Sequence, residues 1–191
     1  MTEQAPYSLL AELEKVKDKG KPPIHLWNPD RVIDIDMVIK TDGTWHYKDS
    51  PITRQRLVRL FSTVLRKEED GHFYLVTPVE KCRIQVEDAP FQAVLVDVKG
   101  EGQAQELHFT TNVADVVVAG DDHPLRFEID RETDEPSPYV MVRDGLEALL
   151  ARNVYYQLVD HLAVKELDGD RWLGVWSRNT FFPIMREQDV T

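Results

Sequence analysis

Apolar residues recur along this chain with two periods, and the places where the period changes mark the elements. Over residues 7 to 19, Leu9, Leu10, Leu13 and Val16 fall at i, i+1, i+4 and i+7, which predicts a short amphipathic helix. Gly20 can close it, and Pro22-Pro23 prevents its continuation. From Val32 to Ile39 the period is two, and Asp42-Gly43 supplies a hairpin turn before Trp45 to Tyr47. Thr53 is a suitable N-cap for a second helix over residues 54 to 66, whose Leu57, Leu60, Phe61, Val64 and Leu65 form a clean stripe. Glu68 to Gly71 breaks that pattern. Strands are expected at 73–77, 81–86 and 91–98.

The second half reads in a similar order. Strands are expected at 105–111, 125–129 and 139–142, then a short helix at 144–152 with Leu146, Leu149 and Leu150 inward. Further strands follow at 154–159, 163–167 and 171–177. Hairpin, helix and aromatic strand thus occur twice with a helix offset of 86 residues, which suggests an internal duplication on thin identity. The fold class expected is α+β, with two packed mixed lobes. Residues 1–22 would form the N-terminal helix and linker, 23–88 an α+β lobe, and 89–191 a β-rich lobe with one short helix. The boundary is placed at the Glu87 to Pro90 turn, with Gly120 to His123 as its rival.

Composition narrows the functional classes. The chain has 191 residues and a net charge of −11, which argues against general nucleic-acid or acidic-membrane binding. Its single cysteine, Cys82, excludes an internal disulfide framework. No basic n-region precedes an apolar run at the N-terminus, and no apolar stretch approaches membrane-spanning length, so cytoplasm is the expected location.

Catalytic and cofactor motifs are sparse. The histidines are well separated and Asp121-Asp122-His123 is a poor metal cluster, so no metal and no cofactor is expected. Cys82 alternates in phase with Ile84 and Val86, which points it into a core as an inert thiol. Asp34 and Asp36 share a strand face, a position more typical of solvent contacts than of an acid–base pair. Gly100-Glu101-Gly102 lacks the third glycine and the following helix of a dinucleotide loop. Arg54, Arg56, Arg59, Arg66 and Lys67 make one helix locally basic, with only Arg59 and Arg66 sharing a face; this reads as a solvated helix surface. Trp172, Gly174 and Trp176 line one strand face and leave a slot for a helix, a strand or a ligand.

Several blocks resemble an uncharacterised bacterial family, domain of unknown function 1285. They include Pro22-Pro-Ile-His-Leu-Trp-Asn-Pro29, Asp42-Gly-Thr-Trp-His-Tyr47, Phe73-Tyr-Leu-Val-Thr-Pro-Val-Glu-Lys81, Val86-Glu-Asp-Ala-Pro-Phe91 and His123-Pro-Leu-Arg126. Arg143-Asp-Gly-Leu-Glu-Ala-Leu-Leu150 continues the series. The likeness runs from about residue 22 onward. It implies a duplicated α+β structure whose second lobe is superficially pleckstrin-homology-like. It also implies a small-molecule site, for a nucleotide-like ligand, and a role in signalling. It carries over no catalytic residues.

The expected function is therefore a ligand-binding or sensory module without catalysis. The alternatives are a small hydrolase or transferase acting on a nucleotide-like compound, and a protein-interaction adaptor. Trp27, His123, Arg126 and Arg143 are the candidate ligand-binding residues, expected to meet between the lobes. An acidic protein must concentrate its cations to hold an anion, arginine offers a planar fork, and indole offers a stacking face. The helix expected near Asp144 would add the positive end of its dipole. Oligomeric state is not encoded in any of these patterns.

Overall fold

The computed structural model describes residues 6–16, 21–130 and 135–190. It divides into two compact units, Met1–Pro90 and Phe91–Thr191.

In the first unit, helix α1 (Tyr7–Val16) buries Leu9 and Leu13 completely, the face its spacing predicts. The expected extension over residues 17–19 lies outside the described residues. Strand β1 (Val32–Ile39) turns at Asp42-Gly43 into β2 (Trp45–Tyr47), followed by the short β3 (Ser50–Pro51). Helix α2 (Gln55–Thr63) is shorter than its apolar stripe suggests, and its N-cap is Arg54 instead of Thr53. The end of the stripe is strand: β4 (Leu65–Lys67) pairs with β5 (Phe73–Val76), which pairs with β6 (Lys81–Val86). Val64 and Leu65 stay buried in either conformation, so burial alone could not separate them. Trp45 stacks on Phe61, with centroids 6.1 Å apart and planes at 23°. That pair joins α2 to the sheet, and Met37, Ile39, Leu75 and Cys82 complete the core.

In the second unit, β7 (Phe91–Lys99), β8 (Glu106–Thr111) and β9 (Val116–Val118) form one meander. Strands β10 (Leu125–Ile129), β11 (Pro136–Arg143) and β12 (Leu146–Leu150) form another. Here the sequence reading needs correction, because the helix expected at 144–152 is strand β12. Asp144 and Gly145 both have positive φ, 43° and 77°, which is hairpin-turn geometry. Beyond the turn Leu146, Ala148 and Leu150 are buried in strict alternation. Three leucines in five residues satisfy a helical stripe nearly as well, and the turn decides between them. The helix comes next: α3 (Arg152–Val159) occupies the segment expected as a strand and buries Val154 and Leu158 at i, i+4. A separate three-stranded sheet closes the unit, with β13 (Ala163–Leu167), β14 (Asp170–Ser177) and β15 (Thr180–Arg186) in order.

The two six-stranded sheets share one topology. Their strand orders are β3-β2-β1-β6-β5-β4 and β9-β8-β7-β12-β11-β10. In each, two antiparallel meanders join through a parallel pair between the first strand of one and the last strand of the other. Val32 sits beside Lys81 in β1–β6, and Phe91 beside Ala148 in β7–β12. The duplication is thus carried by the sheets and not by the helices. Helix α2 lies between its two meanders, whereas α3 follows both. Leu60 and Leu146 are not counterparts, since Leu146 opens β12, which corresponds to β6. The architecture is α+β in two lobes, and among the described residues no helix is long and apolar enough to cross a membrane.

Candidate functional site

A groove of about 610 Å³ runs between α1 and α2. Leu10 from α1 and Leu57 and Leu60 from α2 give it an aliphatic floor, and Arg54, Arg56 and Arg59 edge it. The floor exists because both helices carry apolar residues just beyond the face each buries in the core. Leu9 and Leu13 go inward while Leu10 is left half-exposed, and Phe61 goes inward while Leu57 and Leu60 are left half-exposed.

The three arginines are electrostatically unusual. Most guanidinium groups in this chain hold a carboxylate: Arg66 on Glu68, Arg83 on Asp34, Arg171 on Glu187, Arg178 on Glu106 and Arg186 on Asp170. Among the described residues, Arg54, Arg56, Arg59 and Arg152 have no such partner. Three of these four line the groove. The first turn of α2 also contains no acidic residue and no side-chain cap. Cations there face the positive end of the helix dipole, an arrangement that costs stability unless an anion is present. Glu14 is the one carboxylate in the lining.

Arg66, expected on the same helix face as Arg59, does something else. Its Nη1 donates to the carbonyl oxygens of Ile24 at 2.9 Å and Trp27 at 2.8 Å, while Nη2 donates to Glu68. It therefore holds the proline-flanked segment 22–29 against β4. Glu68 is also bound by Lys81 at 2.5 Å, and Lys81 lies 4.7 Å from the Tyr74 ring centre. Burial pushes the Glu68 carboxyl up, but the hydrogen bonds from Lys81 and Arg66 outweigh it and hold it below its ordinary value. Tyr74 donates to Asp70 at 2.7 Å; that bond, with burial, pushes the phenol up to about 12. These charges bind one another and act as a clamp.

The four residues singled out from sequence fall in both units. Trp27 belongs to the first, half-buried and held through its backbone carbonyl. His123, Arg126 and Arg143 belong to the second. Arg126 donates twice to Glu147, at 3.0 and 2.8 Å, contacts Glu128, and lies 4.3 Å from the Tyr139 ring centre. Arg143 pairs with Asp115 at 2.5 Å and lies over Phe91. His123 Nδ1 donates to the Met141 carbonyl at 3.0 Å. The helix dipole expected at Asp144 is absent, because a hairpin turn occupies that position.

Other candidates resolve into structure. Cys82 is fully buried, and desolvation, then the nearby Glu80, raises its thiol to about 12. Asp34 accepts from Arg83 Nε at 2.6 Å. Asp121 accepts from Thr180 at 3.0 Å, and no group of metal-ligating side chains converges among the described residues. The slot at Gly174 is filled by Phe181 of β15, whose ring lies 5.2 Å from that of Trp176. Sequence reasoning registered the basic segment at 54–67 but not the groove. The available signal was the second apolar row, Leu10 with Leu57 and Leu60.

Comparison with known proteins places the chain. No curated protein matches it. A crystal structure of a DUF1285 family protein from Silicibacter pomeroyi DSS-3 is 50% identical with a TM-score of 0.86, over 97% of this chain and 99% of that one. Another, from Shewanella baltica OS155, is 25% identical with a TM-score of 0.51, over 66% of this chain and 91% of that one. The domain of unknown function DUF1285, N-terminal domain, matches residues 22–89, and the protein of unknown function DUF1285, C-terminal domain, matches residues 90–184. Helix α1, one wall of the groove, precedes both matches. With two adjoining domains matched over most of its length, the chain belongs to the DUF1285 family.

Proposed function

We propose that this protein is a binding module for a small anionic molecule, held in the α1–α2 groove and not chemically altered there. One observation carries the reading: three arginines without carboxylate partners edge an apolar-floored groove in a chain of net charge −11. Three like charges within six residues repel one another even on an exposed surface, and the repulsion is relieved when an anion binds. The groove volume falls within the usual range for small-molecule sites, and its leucines supply apolar burial. A bound molecule would also be sensed by the fold. Helix α1 meets the groove through Leu10 and the core through Leu9 and Leu13, so occupancy tightens the docking of the whole helix.

The test is a thermal-shift and equilibrium-dialysis panel of phosphates, carboxylates and nucleotides. A true ligand at ~100 times its dissociation constant adds about 2.7 kcal/mol of stability. The triple variant Arg54→Gln, Arg56→Gln, Arg59→Gln should abolish that gain, and Arg126→Gln should preserve it. Loss with Arg126→Gln alone would move the site to the second unit, at Arg126.

A further inference from the structure

We infer that the occupant of this groove is a single-chain acyl anion, with its head on Arg54, Arg56 and Arg59 and its aliphatic tail along Leu10, Leu57 and Leu60; this rests on the binding role proposed above. The cations of the lining are weighted toward the start of α2. Arg54 and Arg56 lie at its start and Arg59 about one turn further, while Leu60 and then Thr63 continue the lining toward its end. At 1.5 Å per residue, Arg54 and Leu60 are separated by about 9 Å along the axis. Leu57 lies among the arginines, and Leu60 and Thr63 carry the lining past Arg59, so aliphatic surface begins beside the cations and extends beyond the last of them.

The lining also argues for the chemistry of the tail. It contains leucines, a threonine and the stems of arginines, but no aromatic side chain. A nucleotide base is usually held by a stacking ring, whereas methylene groups need only aliphatic surface. Three guanidinium groups match a carboxylate or phosphate head through paired N–H donors. Glu14 in the same lining disfavours heads spread over many negative charges.

The experiment titrates the intact protein with dodecanoate and dodecyl phosphate, each below its critical micelle concentration, by calorimetry. Dodecanol, butyrate, AMP and inorganic phosphate are run alongside. Expected is one-to-one binding of both dodecyl anions, at least tenfold weaker binding of the other four, and at least tenfold loss for Arg59→Gln and for Leu60→Asp. Circular dichroism on both variants checks folding, and Leu57→Ser replaces Leu60→Asp if the latter is misfolded. Arginine-dependent binding of AMP or phosphate without the dodecyl anions overturns the acyl assignment and leaves the anion-binding role standing. Failure of every anion overturns both. Co-sedimentation with anionic phospholipid vesicles, without binding of free dodecanoate, overturns the assignment in favour of a membrane-surface contact.

Discussion

Arg126 grips Glu147 with two parallel hydrogen bonds, Nε to Oε1 at 3.0 Å and Nη2 to Oε2 at 2.8 Å. The same guanidinium contacts Glu128 and covers the Tyr139 ring, so its donors are committed within the sheet. Its side chain is nevertheless 43% exposed, and exposed pairs contribute little. Arg126→Gln should change unfolding free energy by no more than about 1 kcal/mol in urea titrations. A loss well above that would show that the pair anchors β10 to β12 more strongly than exposure suggests.

Gly174 admits no side chain. A Cβ there would lie 2.3 Å from the Phe182 carbonyl oxygen and 2.7 Å from the Phe181 ring, where the β14–β15 register shifts. Gly174→Ala should destabilise the fold by about 1–3 kcal/mol, the usual range for overpacking, since backbone must move. Gly120 is the control, because its Cβ would make an ordinary 3.5 Å contact with Arg178. Gly120→Ala should stay within about 0.5 kcal/mol of the parent protein. Equal losses at the two sites would contradict the packing argument.

Cys82 should react with thiol reagents only as fast as the protein opens. It is fully buried, and desolvation holds its thiol up to about 12, so thiolate is scarce at neutral pH. Its labelling rate should track urea-induced unfolding. Cys82→Val should cost less than about 1.5 kcal/mol, as a near-isosteric core exchange. Fast labelling under native conditions would place the thiol in an accessible site.

The Tyr74–Asp70 bond predicts a defined alkaline limb. Tyr74 ordinarily ionises near 10, and in the fold it is raised to about 12 by donation to Asp70 and by burial. A raised group contributes stability that is complete below the unfolded value and is lost as pH climbs through the folded one. Stability should therefore fall between about 10 and 12, and Tyr74→Phe should flatten that part of the profile. Glu68 works in the opposite sense. Its folded value is lowered from 4.5, so its contribution is present above that pH and is lost as pH falls below it. An alkaline limb unchanged in Tyr74→Phe would assign the loss to other groups.

Much of the architecture was legible because it depends on neighbours in sequence. Period-two runs and Asp-Gly or Asp168-Gly169 turns located β1, β2, β5 to β8, β13 and β14, and the leucine spacing located α1 and α2. Residues 144–159 were misread because three leucines in five positions fit either period. What decided them was two consecutive positive-φ residues and pairing to β11, a contact between segments. The duplication was visible only as a rough echo, since its real expression is the parallel pairing of β1 with β6 and of β7 with β12, strands far apart in the chain. The same distinction governs the site. Composition and position determined that residues 54 to 67 would be basic. Which arginines are spent on carboxylates or carbonyls depends on partners brought together through space: Arg66 meets Ile24, and Arg126 meets Glu147. Charge type is local and written in the residue, but the cancellation of charge is a property of the folded surface, so only the tertiary structure left Arg54, Arg56 and Arg59 unmatched beside an apolar floor.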